Sequence, residues 1–360
     1  MSGDMAAVVC GACGATLHDG DAFCEACGVA TGTAAPTELP TSVPAPTAPC
    51  GPCGGPVEDG YCTVCGVKAP TARDHWSESP APWVAGVCDR GILHARNEDA
   101  MSLTTAADGS IGILVVCDGV TTAPESDRAA LAAARAACAE LAKAAAAPGA
   151  EWDAALGRAA RAANAEAVAA ARALGDPPEP PSCTFVAAVV TGAGNPGPDS
   201  PAVVHVAWCG DSRAYWVPDE GETVQLTVDH SLGTELIRAG LTPAEAEHDP
   251  RFHTITRWLG ADSVDATPDV AARRLEHRGY VAVVSDGLWN YASSPAALAA
   301  AVQRALDSGG PGVTPLDIAD HLVDFANDQG GHDNITAAIA RVGPPLALST
   351  LAKEMRSVDG

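Results

Sequence analysis

The chain is short of aromatic residues, of basic residues and of long apolar runs. Phe, Trp and Tyr together make up 4% of its 360 residues, so Ala, Val and Leu have to fill most of any core. Lys and Arg number 21 against 45 Asp and Glu, a formal net charge of -24, which argues against nucleic-acid phosphates or an anionic membrane surface as the main partner. The longest apolar stretches, such as Ile111–Cys117 and Ala202–Cys209, are far too short to cross a bilayer. The opening Met-Ser-Gly-Asp lacks the charged and apolar blocks of an export signal, so a cytoplasmic location is expected. Thiols stay reduced there, and disulfides then explain little of the 13 cysteines.

Apolar residues still reach 47%, enough for one sizeable core. Composition changes sharply near Trp83. Residues 1–82 are rich in Cys, Gly, Pro and Thr and contain no long periodic segment. Within them 1–30 and 50–67 carry the cysteine motifs, while 31–49 and 68–82 read as extended linkers. Residues 83–345 read as one large domain and 346–360 as a tail.

Short apolar or β-branched runs predict strands at Trp83–Cys88, Ile111–Cys117, Thr184–Val190, Val203–Cys209, Arg213–Val217, Tyr280–Ser285 and Ile335–Arg341. Ala-rich segments predict long helices over Pro124–Ala147 and Glu151–Leu174, with two more at Ser293–Leu306 and Pro315–Asp328. Thr242-Pro-Ala-Glu245 has the form of a helix start: a capping Thr, a Pro in the first turn and a Glu able to bond back. Groups of strands interrupted by paired helices indicate an α+β layered domain.

Two modules repeat in the N-terminal region. Cys10-Gly-Ala-Cys13 is followed by Cys24-Glu-Ala-Cys27, and Cys50-Gly-Pro-Cys53 by Cys62-Thr-Val-Cys65. A two-residue gap lets both sulfurs of a knuckle face inward, and four thiolates close a tetrahedron around zinc. Segments this short cannot build a stabilising core, so one structural Zn²⁺ per module is expected to supply the folding energy. Both modules resemble the zinc-ribbon pairs of bacterial signalling proteins, which suggests a partner-binding or regulatory element; the plainer alternative is an inert stabilised tail. The remaining cysteines, Cys88, Cys117, Cys138, Cys183 and Cys209, lie in apolar runs and read as small core residues.

The chemistry-bearing pattern is a set of aspartates at strand ends. They stand in Arg96-Asn97-Glu98-Asp99, Val116-Cys117-Asp118-Gly119, Cys209-Gly210-Asp211-Ser212, Ser285-Asp286-Gly287 and His332-Asp333-Asn334. Carboxylates gathered at one sheet edge repel unless a hard cation neutralises them, and all-oxygen ligands favour Mg²⁺ or Mn²⁺.

The ordered set RNEDA, VVCDGV, CGDSRAYW, QLTVDHSL, SDGLW and HDNIT, from about Trp83 to Val342, resembles the metal-dependent protein phosphatases of the 2C type. The resemblance implies a four-layer αββα sandwich of two antiparallel sheets flanked by helices, with a two-metal site at one end. It implies hydrolysis of phosphoserine and phosphothreonine on proteins, with components of kinase pathways as the expected substrates. Asp118 would bridge two Mg²⁺ or Mn²⁺ ions, with the Gly119 carbonyl on one of them and Asp286 and Asp333 on the other. Glu98 and Asp99 would orient water, Asp211 would hold a weaker third ion, and Leu226–Asp262 would form a variable flap. Two departures stand out. The family's phosphate-binding Arg position is His94 here, with Arg96 two residues on. Val120-Thr121-Thr122 follows Asp118-Gly119 where relatives carry glycines and, in some members, a His. Competing readings are a weak or dead phosphatase-like scaffold whose ribbons recruit partners, and a hydrolase of small phosphoesters.

Overall fold

The structure is a computed structural model that describes residues 53–343 except 107, 121–122, 195–200 and 311. The first cysteine module, Cys50, the 31–49 tract, the tail 346–360 and Thr121-Thr122 lie outside the described residues.

Two antiparallel sheets face each other. One has the order β11 (Val224–Gln225), β10 (Arg213–Pro218), β14 (Gly279–Val284), β15 (Ile335–Val342), β4 (Val84–Asp89) and β3 (His75–Ala81). The other runs β13 (Asp269–Leu275), β9 (Ala202–Cys209), β8 (Phe185–Thr191), β6 (Ile111–Cys117) and β5 (Ala100–Thr105). Two long helices, α1 (Ser126–Ala145) and α2 (Trp152–Ala173), cover the second sheet. Helices α6 (Pro295–Gly309) and α7 (Pro315–Asp328) cover the first. This is the expected αββα sandwich.

Strand alternation divides the side chains among three apolar layers. On β6, Ile113, Val115 and Cys117 face α1 and α2, while Leu114 and Val116 face the opposite sheet. On β15, Ala337 and Ile339 face α6 and α7, while Ala338 and Ala340 face inward. The central layer is closed by Trp76, Met101, Trp208 and Trp216, while Phe185 and the pair Tyr215 and Tyr280 give bulk to the two outer layers. The α1–α2 pair is built on small residues instead. Ala129, Ala133, Ala137, Ala155, Ala159 and Ala163 are all fully buried, and the helices' own large groups buried in that layer are Leu141 and Leu156, met by Ile113 and Phe185 from the sheet and by Leu259. The five cysteines read as core residues are all buried.

One sequence expectation is corrected. Within the supposed linker 68–82, His75–Ala81 is a seven-residue strand pairing antiparallel with Val84–Asp89, with an irregularity between Glu78 and Ala81. Its polar residues and Pro80 are tolerated because it lies at the sheet edge. Before it, β1 (Val57–Glu58) and β2 (Tyr61–Cys62) form a small hairpin between the cysteines. The flap region contains α3 (Leu232–Arg238) and α4 (Pro243–Ala246), the latter with the reciprocal Thr242–Glu245 capping bonds that its sequence signals. Short β12 (Leu259–Gly260) pairs with β7 (Ser182–Cys183), and one turn, α5 (Asp286–Trp289), follows β14.

Candidate active site

Strand direction alone gathers the carboxylates. The end of β6 pairs with the start of β5, the end of β9 with the start of β8, and the end of β14 with the start of β15. Asp118, Asp99, Asp211, Asp286 and Asp333 each adjoin one of these ends, so all five sit at one pole of the sandwich. Their mutual influence shows in the Asp118 carboxyl. Burial pushes its pKa well above the usual carboxylate range, and Asp99, Asp286, Asp333 and Asp211 each push it further. Asp286 is raised to about 6, by burial and then by Asp333. Asp211 is likewise held well above its ordinary value, by burial, Asp286 and Asp229.

The surrounding polar groups fix these side chains. Asp99 is buried, and its Oδ2 accepts from Ser285 Oγ at 2.7 Å and Thr336 Oγ1 at 2.6 Å. Its Oδ1 is buried without a partner, an unusual state for a carboxylate oxygen. Burial raises Asp99 to about 7. Glu98, also buried, accepts from Ser126 Oγ at 2.8 Å and from the Arg96 guanidinium at 3.1 Å. Thr184 clamps the backbone at Asp118: its Oγ1 accepts the Asp118 amide at 3.1 Å, and its own amide donates to the Asp118 carbonyl at 2.8 Å. Gly119 is required sterically, because a Cβ there would lie 2.6 Å from the Glu98 carbonyl oxygen. Among the described residues no three of these carboxylates have ligand atoms all within 4.8 Å of one another. The carboxylates thus line an acidic bowl without forming a closed ligand cage, and water would complete the coordination of a cation held there.

His94 and Arg96 part company. His94 Nε2 lies 3.3 Å from Asp333 Oδ1, so the imidazole is tied to a carboxylate of the bowl. Arg96 has a side chain 49% exposed while still reaching Glu98. Beside Asp211 opens a groove of about 380 Å³, whose lining includes Val228, Ile237, Phe252, His253 and Trp289 from the flap and α5. Arg213 anchors its floor, paired with Asp229 at 2.6 Å and stacked 3.6 Å over the Trp289 ring.

Several residues that hold the site were not singled out by sequence reasoning: Thr184, Ser126, Ser285, Thr336 and Asn334. Hydroxyls at the ends of apolar runs, as at Ser285 and Thr336, are the one signal that could have found them.

The sequence pattern of the family described as Protein phosphatase 2C matches residues 93–322, more than half of the chain. The chain belongs to the protein phosphatase 2C family. The protein phosphatase PhpP of Streptococcus pneumoniae is 40% identical over 134 residues, 37% of this chain and 50% of that protein. The chain thus matches about half the length of its curated relatives. The serine/threonine phosphatase of S. agalactiae superposes with a TM-score of 0.56 at 28% identity, over 74% of this chain and all of that one. The catalytic domain of the serine/threonine protein phosphatase PstP, in complex with two manganese ions, does so with a TM-score of 0.52 at 27% identity, over 72% and 98%.

The second cysteine module is partly described. Cys53 Sγ lies 3.4 Å from both Cys62 Sγ and Cys65 Sγ. The Cys65 and Val64 amides point at Cys62 Sγ, at 3.5 and 3.4 Å, and draw its thiol down to about 6. Sulfurs tetrahedrally placed about zinc at ~2.3 Å lie roughly 3.8 Å apart, close to these separations. Among the described residues, no helix is long and apolar enough to cross a membrane.

Proposed function

We propose that this chain is a metal-dependent serine/threonine protein phosphatase. The observation that carries the reading is the bowl itself. The leading electrostatic influences on Asp118 are all carboxylates, and the adjoining Asp99 keeps a buried oxygen without a partner. Such a cluster is costly without cations and suits hard divalent ones. Family membership and the likeness to a two-manganese phosphatase domain support the same reading.

Asp118, the Gly119 carbonyl, Asp286 and Asp333 would hold two Mg²⁺ or Mn²⁺ ions, and Asp211 a third more weakly. Bound in pairs, such ions activate water as a nucleophile and neutralise phosphoryl oxygens. The chain's own groups prepare the rest. Ser285 and Thr336 fix Asp99, and Ser126 fixes Glu98, so that both carboxylates can hold water in line with phosphorus. The water oxygen bonds to phosphorus as the bond to the Ser or Thr oxygen breaks, giving inorganic phosphate and the free hydroxyl. Arg96, exposed at the rim, receives the substrate phosphate, while His94 steadies Asp333. The groove beside Asp211 accepts residues flanking the phosphorylated one. Phosphoproteins of kinase pathways in the cytoplasm are the substrate class we infer.

The cysteine module 50–67 would hold one structural Zn²⁺ through Cys53, Cys62 and Cys65 together with Cys50. Module 1–30 would hold another through Cys10, Cys13, Cys24 and Cys27.

The deciding experiment is turnover of a phosphothreonine peptide by wild type and Asp118→Asn with saturating Mn²⁺. Turnover falling below about a tenth is expected when a bridging carboxylate is lost. Retention above that level, with Mn²⁺ affinity unchanged, removes Asp118 from the metal site.

A further inference from the structure

The ribbon and the site are joined by a short piece of chain whose hydrogen bonds run to both. On the ribbon side, the Cys62 amide donates to the Val67 carbonyl at 2.8 Å, Lys68 bridges to Tyr61, and the Ala69 amide donates to the Gly60 carbonyl at 2.8 Å. Residues 67–69 therefore ride on the strand that carries Cys62. On the other side, Lys68 Nζ donates to the Ala95 carbonyl at 3.1 Å. One guanidinium nitrogen of Arg73 donates to the carbonyls of Asn97, at 3.2 Å, and Asp99, at 3.1 Å. Asn97 returns a bond from its side-chain amide to the Arg73 carbonyl at 3.0 Å. The carbonyls of alternate residues 95, 97 and 99 are thus met from the ribbon-proximal segment, along a loop with no strand or helix of its own.

We propose that residues 68–73 are a brace through which the cysteine metal site sets the position of the loop His94–Asp99, with Arg73 and Lys68 as positioning residues. The inference rests on the reading of Glu98 and Asp99 as site residues and of the cysteines as a zinc site. Asn97 and Asp99 are buried, so a lost donor leaves a buried carbonyl unsatisfied rather than rehydrated. The Asp99 carboxylate is held by hydroxyls from β15 and the β14 end, so its carbonyl and its side chain are fixed by different parts of the fold. A brace that slackens when zinc leaves, or when its thiolates are oxidised, would loosen one of these two attachments. Groups that orient metal ligands from outside commonly govern metal affinity by ten- to a hundredfold (~10–100).

The test uses the full chain in five forms: wild type, Lys68→Ala, Arg73→Ala, Arg73→Lys and Cys62→Ser. Zinc content, amide exchange over residues 94–99 and Mn²⁺ affinity by calorimetry are measured on each. Arg73→Ala is expected to keep its zinc, exchange faster over 94–99 and bind Mn²⁺ about tenfold more weakly. Lys68→Ala should show a smaller change of the same kind centred on Ala95, and Arg73→Lys a partial rescue. Cys62→Ser should lose zinc and reproduce the Arg73→Ala exchange pattern while the sandwich stays folded by circular dichroism. Unchanged exchange and Mn²⁺ affinity in folded Arg73→Ala overturns the brace. Loosening in Cys62→Ser without any in the Lys68 and Arg73 variants overturns the route through these residues. A wild type without zinc overturns the coupling to a metal while leaving phosphopeptide turnover, and the phosphatase reading, intact.

Discussion

Asn334 Oδ1 accepts the backbone amide of Glu98 at 2.7 Å, joining two motifs separated by 236 positions of sequence. The same side chain donates to the carbonyls of Arg90 at 2.7 Å and Arg96 at 3.0 Å, so one buried amide satisfies three backbone groups of the loop that precedes β5. Asn334→Ala removes all three bonds and leaves the Glu98 amide buried without its partner. A stability loss of about 2–3 kcal/mol is expected from such groups left unpaired. Urea titration of the metal-free protein checks it; a loss under a few tenths would show that water replaces the amide.

Cation binding should release protons near neutral pH. Asp99 is raised to about 7 and Asp286 to about 6, so at pH 6 the metal-free protein holds most of a proton on Asp99 and about half of one on Asp286, which a bound cation must displace. At pH 8 these two are already ionised, and their share of the release is gone. Mn²⁺ calorimetry in buffers of different ionisation enthalpy reads this directly: the buffer dependence should be larger at pH 6 than at pH 8, and Mn²⁺ affinity should rise between them. Proton release that does not fall between the two values would show that Asp99 and Asp286 do not titrate in this range.

Glu78 gives a pH effect remote from the site. On the edge strand β3 it reaches across to the other sheet, its Oε2 accepting the Leu103 amide at 2.6 Å. Burial raises it from 4.5 to about 7, against the lowering effects of that amide and of Arg135. The folded protein therefore keeps the Glu78 proton after the unfolded chain has released its own. This contribution to stability is full below pH 4.5 and is lost as pH rises through 7. Glu78→Gln retains an acceptor for Leu103 without the charge, so the variant should gain on wild type in Tm as pH goes from 5 to 8. A parallel pair of Tm curves would contradict the burial of the charged form.

Arg96 and His94 can be separated kinetically. Arg96→Ala removes the exposed guanidinium and should raise KM about ten- to a hundredfold, with less effect on kcat, as for a charged hydrogen bond made in both ground and transition states. His94→Ala should leave KM for the phosphopeptide near wild type and weaken Mn²⁺ instead, because its contact is with Asp333. The reverse assignment of the two defects would place His94 on the phosphate.

The acidic pole was legible in the sequence because each aspartate follows or precedes an apolar run, and such runs mark central strands. The strands that escaped are edges: His75–Ala81 bounds one sheet, and Asp269–Leu275 and Ala100–Thr105 bound the other. An edge strand such as Asp-Val-Ala-Ala-Arg-Arg-Leu has only part of its surface to bury and carries polar residues that blur the alternation. Helices fared better. Pro315–Asp328 has the bounds its Thr-Pro start and Gln-Gly end indicate, because capping is local chemistry. What holds the carboxylates was hidden for a different reason. Thr184, Ser285 and Asn334 act through partners 28 to 244 positions away, and no local pattern encodes such pairings.

The helical layer over the five-stranded sheet has a consequence for how the protein responds to change. Its interface is already alanine at Ala129, Ala133, Ala137, Ala155, Ala159 and Ala163, each without exposed surface. An alanine scan would pass over these positions as if they were silent. Evolution has little to trim here, and any enlargement by even a methylene pushes two backbones apart. The cover over the acidic pole's sheet is therefore the part of the molecule least free to drift. Sequence divergence among its relatives should be sought in the flap and at the edges, and a tolerated bulky residue in α1 should be matched by a loss of volume opposite it in α2.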